Sequence, residues 1–382
     1  MLGVAAAVVG ALALKSALSS PTCDPLVPDQ VNDDPDGYTL KHVMIIHRHG
    51  LRAPNKISKW SNKEDYPMGL GQLSAKGKIG AGLAGRVLRR FYQNYLTDSP
   101  REVWARSSFY ARCFETAHIL LGTMYPPRGI WDYGSPIQPI PITMVPPGND
   151  VFLQSCDAKL TPDFKYMYNE THASLKKDGF DTVGDFLHWL TDVSGFPKDT
   201  SAFFQPIVDA LFAQRYHGLP IPNWAEDKWS SMDWAMRRLG YDLLQEFIPY
   251  NGQYIGKEIA WRTVGAVNGT VTARLSIMSY HDLTIQALVK ALKLDVVSLY
   301  PVFLAALHFQ VYERKRDGAH FVRIMYHPGF TVNGDYEQAI LLHPPDCDFP
   351  DCPLVKFAHI MNSIYSVIDR SKCPPVNPKA LL

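Results

Sequence analysis

The chain has 382 residues, and 46% of them are hydrophobic. It can therefore bury a large core, and its length is enough for about two or three domains. The formal net charge at pH 7 is only +1. That balance excludes a global electrostatic field for nucleic acid or for an acidic membrane, so any affinity for anions must come from a local cluster of cations.

Residues 1–20 resemble a signal peptide. Their apolar run, residues 2–14, is too short to span a bilayer comfortably, and small residues follow it. A buried N-terminal helix or a short membrane anchor is the alternative interpretation. If residues 1–20 are cleaved, the mature chain keeps no stable membrane span, and we expect it to be secreted or to reach the lysosomal lumen.

Export would place the cysteines of this chain in an oxidising compartment. Spacing alone does not choose among their pairings, although Cys347 and Cys352 are near enough in sequence to close a small loop. Two sequons, at Asn169 and Asn268, are candidate glycosylation sites and fit the same route. The six cysteines are Cys23, Cys113, Cys156, Cys347, Cys352 and Cys373.

Residues 43–54, VMIIHRHGLRAP, combine a buried-strand pattern with a cluster of cations and imidazoles. The apolar run predicts a central strand, and Gly50 predicts the turn at its carboxyl end, where ligands bind in open α/β sheets. Arg48 and Arg52 would be costly there unless they meet an anion, and phosphate matches their forked donors best. Alternatively, both arginines are surface residues and His49 is a satisfied histidine at a strand end.

The same strand, cation and helix order occurs a second time. Helical spacing predicts a helix over residues 73–95 with Ser74 as its N-cap. Residues 102–105 predict a short strand that ends at Arg106, and residues 112–124 predict the following helix. This alternation predicts a parallel α/β sheet.

Strand patterns nearly vanish between residues 146 and 261, where helical pieces are predicted at 161–177, 182–193, 202–217 and 225–248. We interpret 146–261 as a mostly helical cap insertion between two halves of an α/β catalytic core, residues 38–145 and 262–375. A strand over 275–280 ends in His281 and Asp282 and precedes a helix over 284–294. An antiparallel pair of strands, 305–312 and 320–326, and a last helix, 355–368, follow.

The arrangement resembles the histidine acid phosphatases, which form branch 2 of the histidine phosphatase superfamily. The resemblance rests on Arg-His-Gly-x-Arg-x-Pro at residues 48–54, an arginine after the second strand and His281-Asp282 near the C-terminal end. It runs from residue 42 to residue 373 and is weakest in the cap region. It implies a phosphoglycerate-mutase-like fold: a mixed, mainly parallel sheet flanked by helices.

The resemblance also implies a mechanism without a metal ion or another cofactor. His49 would attack phosphorus and become a phosphohistidine, and Asp282 would protonate the leaving oxygen and then activate water. We expect an acidic pH optimum. The expected substrates are phosphate monoesters of small molecules, phosphoproteins or phospholipids. The residues expected to bind the phosphate are Arg48, Arg52, Arg106 and His281.

Other properties are implied by the resemblance alone. They include disulfides between Cys156 and Cys373 and between Cys347 and Cys352, and a homodimer. The chain departs from the family pattern at His47, where an aromatic or apolar residue is usual. It also departs at residues 107–112, which replace a more acidic, hydroxyl-rich segment while keeping an arginine at 112.

Two alternatives come from other functional classes. His47 and His49, with His281 and Asp282, could be the ligand set of a metal-dependent hydrolase, although Arg48 and Arg52 are poor neighbours for a divalent cation. The chain could instead bind phosphoryl ligands without turning them over. Chelation and vanadate inhibition would separate the first alternative from a phosphatase, and an activity assay would decide the second.

Overall fold

The computed structural model of this protein describes residues 34–146, 150–152, 168–195, 204–242, 248–294, 301–330, 338–348 and 350–366. Within these ranges the strands belong to one sheet. In chain order they are β1 (Tyr38–Arg48), β2 (Val103–Ser108), β3 (Ile142–Val145), β4 (Leu275–Tyr280), β5 (Ala306–Arg314), β6 (His320–His327), β7 (Ile340–Leu342) and β8 (Cys352–Pro353).

The sheet is mixed, with parallel strands at its centre. Its order is β3-β2-β4-β1-β5-β6-β7, and β8 also pairs with β6. The neighbours from β3 to β1 are parallel, whereas β5, β6, β7 and β8 add antiparallel pairings. The predicted mixed α/β sheet and its antiparallel pair are confirmed. The sequence analysis did not predict β3.

Helices flank the sheet and fill the segment between β3 and β4. The α-helices of the described residues are α1 (Ala75–Phe91), α2 (Ala111–Met124), α3 (Ala173–Lys177), α4 (Val183–Ser194), α5 (Ala210–His217), α6 (Asn223–Asp227), α7 (Trp229–Asp242), α8 (Ile248–Asn268), α9 (Asp282–Ala291) and α10 (Leu354–Ser366). A π-helical turn, Phe204–Asp209, continues into α5.

Helices α1 and α2 cover one face of the sheet. The Ser74 hydroxyl accepts a hydrogen bond from the Gly77 amide at 3.1 Å, which confirms the predicted N-cap of α1. The two helices approach so closely at Gly85 that a side chain there would meet the Leu120 carbonyl. Their apolar side chains form one core with those of β1, β2 and β4 that point to this face.

Helices α8, α9 and α10 cover the opposite face. Ile259 of α8, Leu288 of α9 and Phe357 of α10 are buried against side chains of β1, β4, β5 and β6. The predicted end of the cap insertion, residue 261, falls inside α8, since that helix runs without interruption to Asn268. None of the helices in the described ranges is both long and apolar enough to cross a membrane.

The segment between β3 and β4 has a hydrophobic core of its own. It is built mainly from α3, α4, α5, α6 and α7, and Leu51 and Phe303 enter it from the loops after β1 and before β5. Helix α4 begins with a capping box between Thr182 and Asp185 and ends at Gly195 in the left-handed conformation. The proposed cap is thus a packed unit that contacts the residues beside the end of β1.

Candidate active site

His49 lies directly after the end of β1 and is almost completely buried. Its Nδ1 is 2.9 Å from the Gly50 carbonyl oxygen. A carbonyl only accepts, so Nδ1 carries the hydrogen of the neutral ring and Nε2 keeps the lone pair. Burial, and then the charges of Arg48, Arg112 and Arg52, hold the pKa of His49 well below its usual value. A neutral imidazole with a free lone pair is the form that a nucleophile needs.

The sheet places His281 and Asp282 beside His49. Strands β1 and β4 are parallel neighbours with Arg48 opposite Tyr280, so the next residues of both strands leave the same edge. The His49 amide donates to the Tyr280 carbonyl at 3.0 Å, and the rings of His49 and His281 are 5.6 Å apart between centroids. This convergence is the one predicted from parallel strand order.

Asp282 begins α9 and pairs with Arg48. Its Oδ2 is 2.9 Å from Arg48 Nη2, and about a fifth of its side chain is exposed. Arg48 also donates from Nη1 to the Pro301 carbonyl at 2.8 Å and stacks over the Phe303 ring at 4.3 Å. These contacts fix the guanidinium of Arg48 between the two strand ends while Asp282 keeps access to solvent.

His281 is held by residues at the end of β2 and at the start of α2. Its Nε2 is 3.0 Å from the Ser108 hydroxyl, and the Tyr110 ring meets its ring edge-on at 5.2 Å between centroids. Burial, with further contributions from the charges of Arg112, Arg48 and Arg52, lowers the pKa of His281 to about 3, although Asp282 opposes the shift. His281 is therefore neutral throughout the mildly acidic range.

The structure does not bring Arg106 to this cluster. Arg106 lies inside β2 rather than after it, opposite Met278, on the face that α8 covers. Its Nη2 donates to Asp150 at 2.9 Å and its Nε to the Tyr280 hydroxyl at 3.0 Å. The buried carboxylate of Asp150 thus binds the guanidinium that sequence reasoning assigned to phosphate. Arg106 is therefore held away from His49 and His281, contrary to the expectation that it binds the phosphate.

Arg112 occupies the place that was expected for Arg106. It lies in the first turn of α2, next to the Tyr110 ring, and its charge is among the chief causes that lower the pKa values of His49 and His281. Its Nε is buried and has no hydrogen-bond partner among the described residues. Sequence reasoning noted Arg112 but gave it no role. Its position at the start of the helix after the second strand was the signal that could have identified it.

Comparison with known proteins shows which proteins this chain is similar to. The sequence pattern of the histidine phosphatase superfamily (branch 2) matches residues 39–185. Prostatic acid phosphatase of Bos taurus is 28% identical over 360 residues, which is 89% of this chain and 89% of that protein. Lysosomal acid phosphatase of Bos taurus is 28% identical over 346 residues, 85% of this chain and 78% of that protein.

This chain therefore resembles the proteins of branch 2 of the histidine phosphatase superfamily. Solved structures support the same fold. A Hafnia alvei phytase in complex with tartrate superposes with a TM-score of 0.62 at 17% identity, covering 89% of this chain and 100% of that one. The phytase from Citrobacter braakii gives a TM-score of 0.62 at 17% identity, with coverage of 85% and 98%.

His47, at which this chain departs from the family pattern, lies in a buried cluster with His308 and His327. The rings of His308 and His327 are 4.5 Å apart between centroids, and His47 contributes to the lowered pKa of His308. His47 Nδ1 is 3.0 Å from the Arg48 carbonyl, and burial lowers its pKa to about 4. Among the described residues, no group of three or more His, Cys, Asp or Glu side chains could hold a metal ion.

The structure confirms one of the expected disulfides and describes both sequon asparagines. Cys347 and Cys352 form a disulfide, whereas Cys113 is a buried free thiol whose pKa burial raises to about 12. Asn169 and Asn268 are both exposed. The predicted bridge between residues 156 and 373 lies outside the described residues, as do residue 23 and the predicted signal peptide, residues 1–20.

Proposed function

We propose that this chain is an acid phosphatase that hydrolyses phosphate monoesters through a covalent phosphohistidine at His49. The observation that carries the proposal is a buried, neutral imidazole surrounded by the permanent charges of Arg48, Arg52 and Arg112. Three guanidinium groups match the charge of a phosphoryl group, and stabilising that charge is most of what phosphoryl transfer asks of a protein. Burial, together with the same three charges, lowers the pKa of His49 and so favours an unprotonated nucleophile in acid.

In the first step, His49 Nε2 attacks phosphorus and the ester bond between phosphorus and the alcohol oxygen breaks. Asp282 donates its proton to that oxygen, so the alcohol leaves neutral. Arg48, Arg52, Arg112 and His281 bind the oxygens of the transferring group. The ion pair with Arg48 favours the ionised form of Asp282. We expect acidic pH and the negative charge of the bound ester to favour the protonated form that the first step needs.

In the second step, water replaces the imidazole on phosphorus. Asp282, now ionised, accepts a proton from that water as it attacks, and the phosphorus–Nε2 bond breaks. Inorganic phosphate leaves, His49 is regenerated, and Asp282 holds a proton for the next cycle. No metal ion or other cofactor enters either step, because the arginines supply the positive charge.

An assay of the purified chain tests this proposal. We expect hydrolysis of p-nitrophenyl phosphate with an optimum below neutral pH, resistance to chelators, inhibition by vanadate and loss of activity in His49→Asn. A maximum above neutral pH, or activity abolished by chelation, would contradict the proposal. Chelation sensitivity would instead favour a metal-dependent hydrolase, and a folded chain that binds phosphate without turnover would be a non-catalytic phosphoryl-ligand binder.

The setting of the enzyme is part of the same proposal. The relatives include proteins named lysosomal acid phosphatase, a disulfide links Cys347 and Cys352, and both sequon asparagines are exposed. These observations support a secreted or lysosomal glycoprotein that acts on monoesters of small molecules, phosphoproteins or phospholipids. A homodimer is supported by the family resemblance alone. Glycosidase treatment and sizing of protein expressed through the secretory route test this setting.

A further inference from the structure

Arg52 is held by a carboxylate from the proposed cap, at the far end of its guanidinium. Its Nη1 donates to Asp209 Oδ2 at 3.2 Å and its Nη2 to Asp209 Oδ1 at 2.9 Å. Asp209 also accepts from the Asn55 amide at 3.1 Å and is only 8% exposed. Two distant segments of the chain thus meet in a buried, bidentate ion pair next to the candidate nucleophile.

Within the described ranges, the hydrogen bonds of Arg52 leave one edge of its guanidinium unused. Of its five donors, Nη1 uses two, on Asp209 and on the Ala53 carbonyl at 3.0 Å, and Nη2 uses one. The side chain is almost completely buried, yet its Nε has no acceptor among the described residues. The remaining donors are Nε and the second hydrogen of Nη2, which form the side-on fork of the group.

Asp209 lies at the N-cap position of α5 but does not cap that helix with its side chain. It precedes α5, at a position where an aspartate side chain normally accepts hydrogen bonds from the first amides of a helix. Here it makes no such bond, because the π-helical turn Phe204–Asp209 runs into α5 without a break. Both of its oxygens are instead committed to Arg52 and to the Asn55 amide.

We propose that Asp209 is a positioning residue, which holds the far end of Arg52 so that its Nε and Nη2 edge faces the phosphate. This inference rests on the proposed phosphatase function. A buried donor pair without an acceptor is costly, and an arriving phosphate, with two oxygens at the right spacing, would satisfy it. The cap then contributes to phosphate binding through Arg52 and not by touching the phosphate.

The positioning role and a purely electrostatic role predict opposite changes in the affinity for inorganic phosphate when Asp209 is neutralised. If Asp209 only offset the charge of Arg52, its neutralisation would leave a more positive pocket and would tighten the binding of inorganic phosphate. If it orients the guanidinium, Asp209→Asn should weaken that binding, because the amide keeps one acceptor and turns an NH2 group towards an Nη donor. The sign of the change in Ki for phosphate therefore decides between them.

The experiment compares Asp209→Asn, Asp209→Glu and Glu226→Gln with the wild-type full chain. Glu226→Gln is the matched control, since it removes one negative charge from an exposed ion pair with Arg215 in the same region. We expect Asp209→Asn to raise both KM and Ki for inorganic phosphate about tenfold with a smaller fall in kcat. Asp209→Glu should lie between Asp209→Asn and wild type, and Glu226→Gln should match wild type.

A Ki for phosphate that is unchanged or lower in folded Asp209→Asn, with folding checked by circular dichroism, would overturn the inference. If Asp209→Asn does not fold, Asp209→Glu decides: its longer side chain displaces the guanidinium, so a Ki equal to that of wild type would overturn the inference as well. Failure of the proposed function has a different result, since the wild-type chain itself would then neither hydrolyse monoesters nor be inhibited by phosphate.

Discussion

Arg112→Met removes a cation that we propose, from the structure and not from the sequence, as a ligand of the substrate phosphate. The guanidinium carbon of Arg112 is 4.6 Å from the centre of the Tyr110 ring, which is 5.2 Å from the centre of the His281 ring. Its charge therefore lies within about 10 Å of His281. At an effective dielectric constant of about 20, a unit charge at about 10 Å is worth about 1.7 kcal/mol, or about one pKa unit.

Loss of this charge has two consequences. A protonated imidazole is penalised less when a neighbouring cation is missing, so the pKa values of His49 and His281 rise, and the acid limb of kcat/KM moves upward by about one pH unit. The transferring phosphoryl group also loses a donor, for which a fall in kcat of roughly 10²- to 10³-fold is typical. The assay is a profile of kcat/KM from pH 3 to pH 8 with p-nitrophenyl phosphate.

The control is Arg106→Met combined with Asp150→Asn, which removes the other candidate arginine together with its buried partner. Replacing both members avoids the instability of a lone buried carboxylate. We expect this double variant to keep the acid limb of the wild type. An acid limb that moves in the Arg106 variant and not in Arg112→Met would refute the assignment of Arg112 to the pocket.

Three further results follow from the structure. Asp282→Asn should lower kcat/KM, which reports the first step, by about 10²-fold or more for alkyl phosphates and by less for p-nitrophenyl phosphate, because a good leaving group needs no proton. Equal losses of kcat/KM would contradict the role of Asp282 as the acid of that step. Below pH 6.5 an unfolded chain gains a proton at His47, whereas the folded chain does so only near pH 4, so this residue makes stability fall by about 3 kcal/mol across that window. His47→Gln should therefore flatten the decline of urea stability from pH 7 to pH 4, and an unchanged slope would contradict it. Gly85→Ala should destabilise the fold by about 2 kcal/mol in thermal unfolding, because the added Cβ would clash with Leu120. Gly82→Ala is the control: a Cβ at Gly82 would have its nearest neighbouring atom at 3.6 Å, so this variant should be neutral or stabilising.

Those features of the site that depend on strand order could be predicted from the sequence. Residues 43–46 are a short apolar run, and residues 275–280 are mostly apolar. Neither segment contains Gly or Pro, and each leads to polar residues at a strand end, so parallel order alone brings His49 and His281 together. The disulfide between Cys347 and Cys352 was implied by the family resemblance, and their spacing showed only that the two cysteines could close a small loop.

Features that depend on the direction of a side chain were harder to predict from the sequence. The strand at Arg106 was predicted to end there, but β2 continues to Ser108, and the alternation of side chains directs Arg106 to the face that α8 covers. The ion-pair partner of Arg52 could not be predicted from the sequence either. Asp209 is distant in sequence, and nothing in the composition of the predicted helix at 202–217 indicates a contact with the end of β1.

Trapping the covalent intermediate tests the central claim most directly. The chain is mixed with a 32P-labelled monoester at acidic pH, quenched within one turnover, digested and mapped under alkaline conditions that preserve phosphohistidine. We predict label on Nε2 of His49, because Nδ1 is committed to the Gly50 carbonyl, and no label in His49→Asn. Label on another residue, or steady turnover with no labelled residue, would contradict the account.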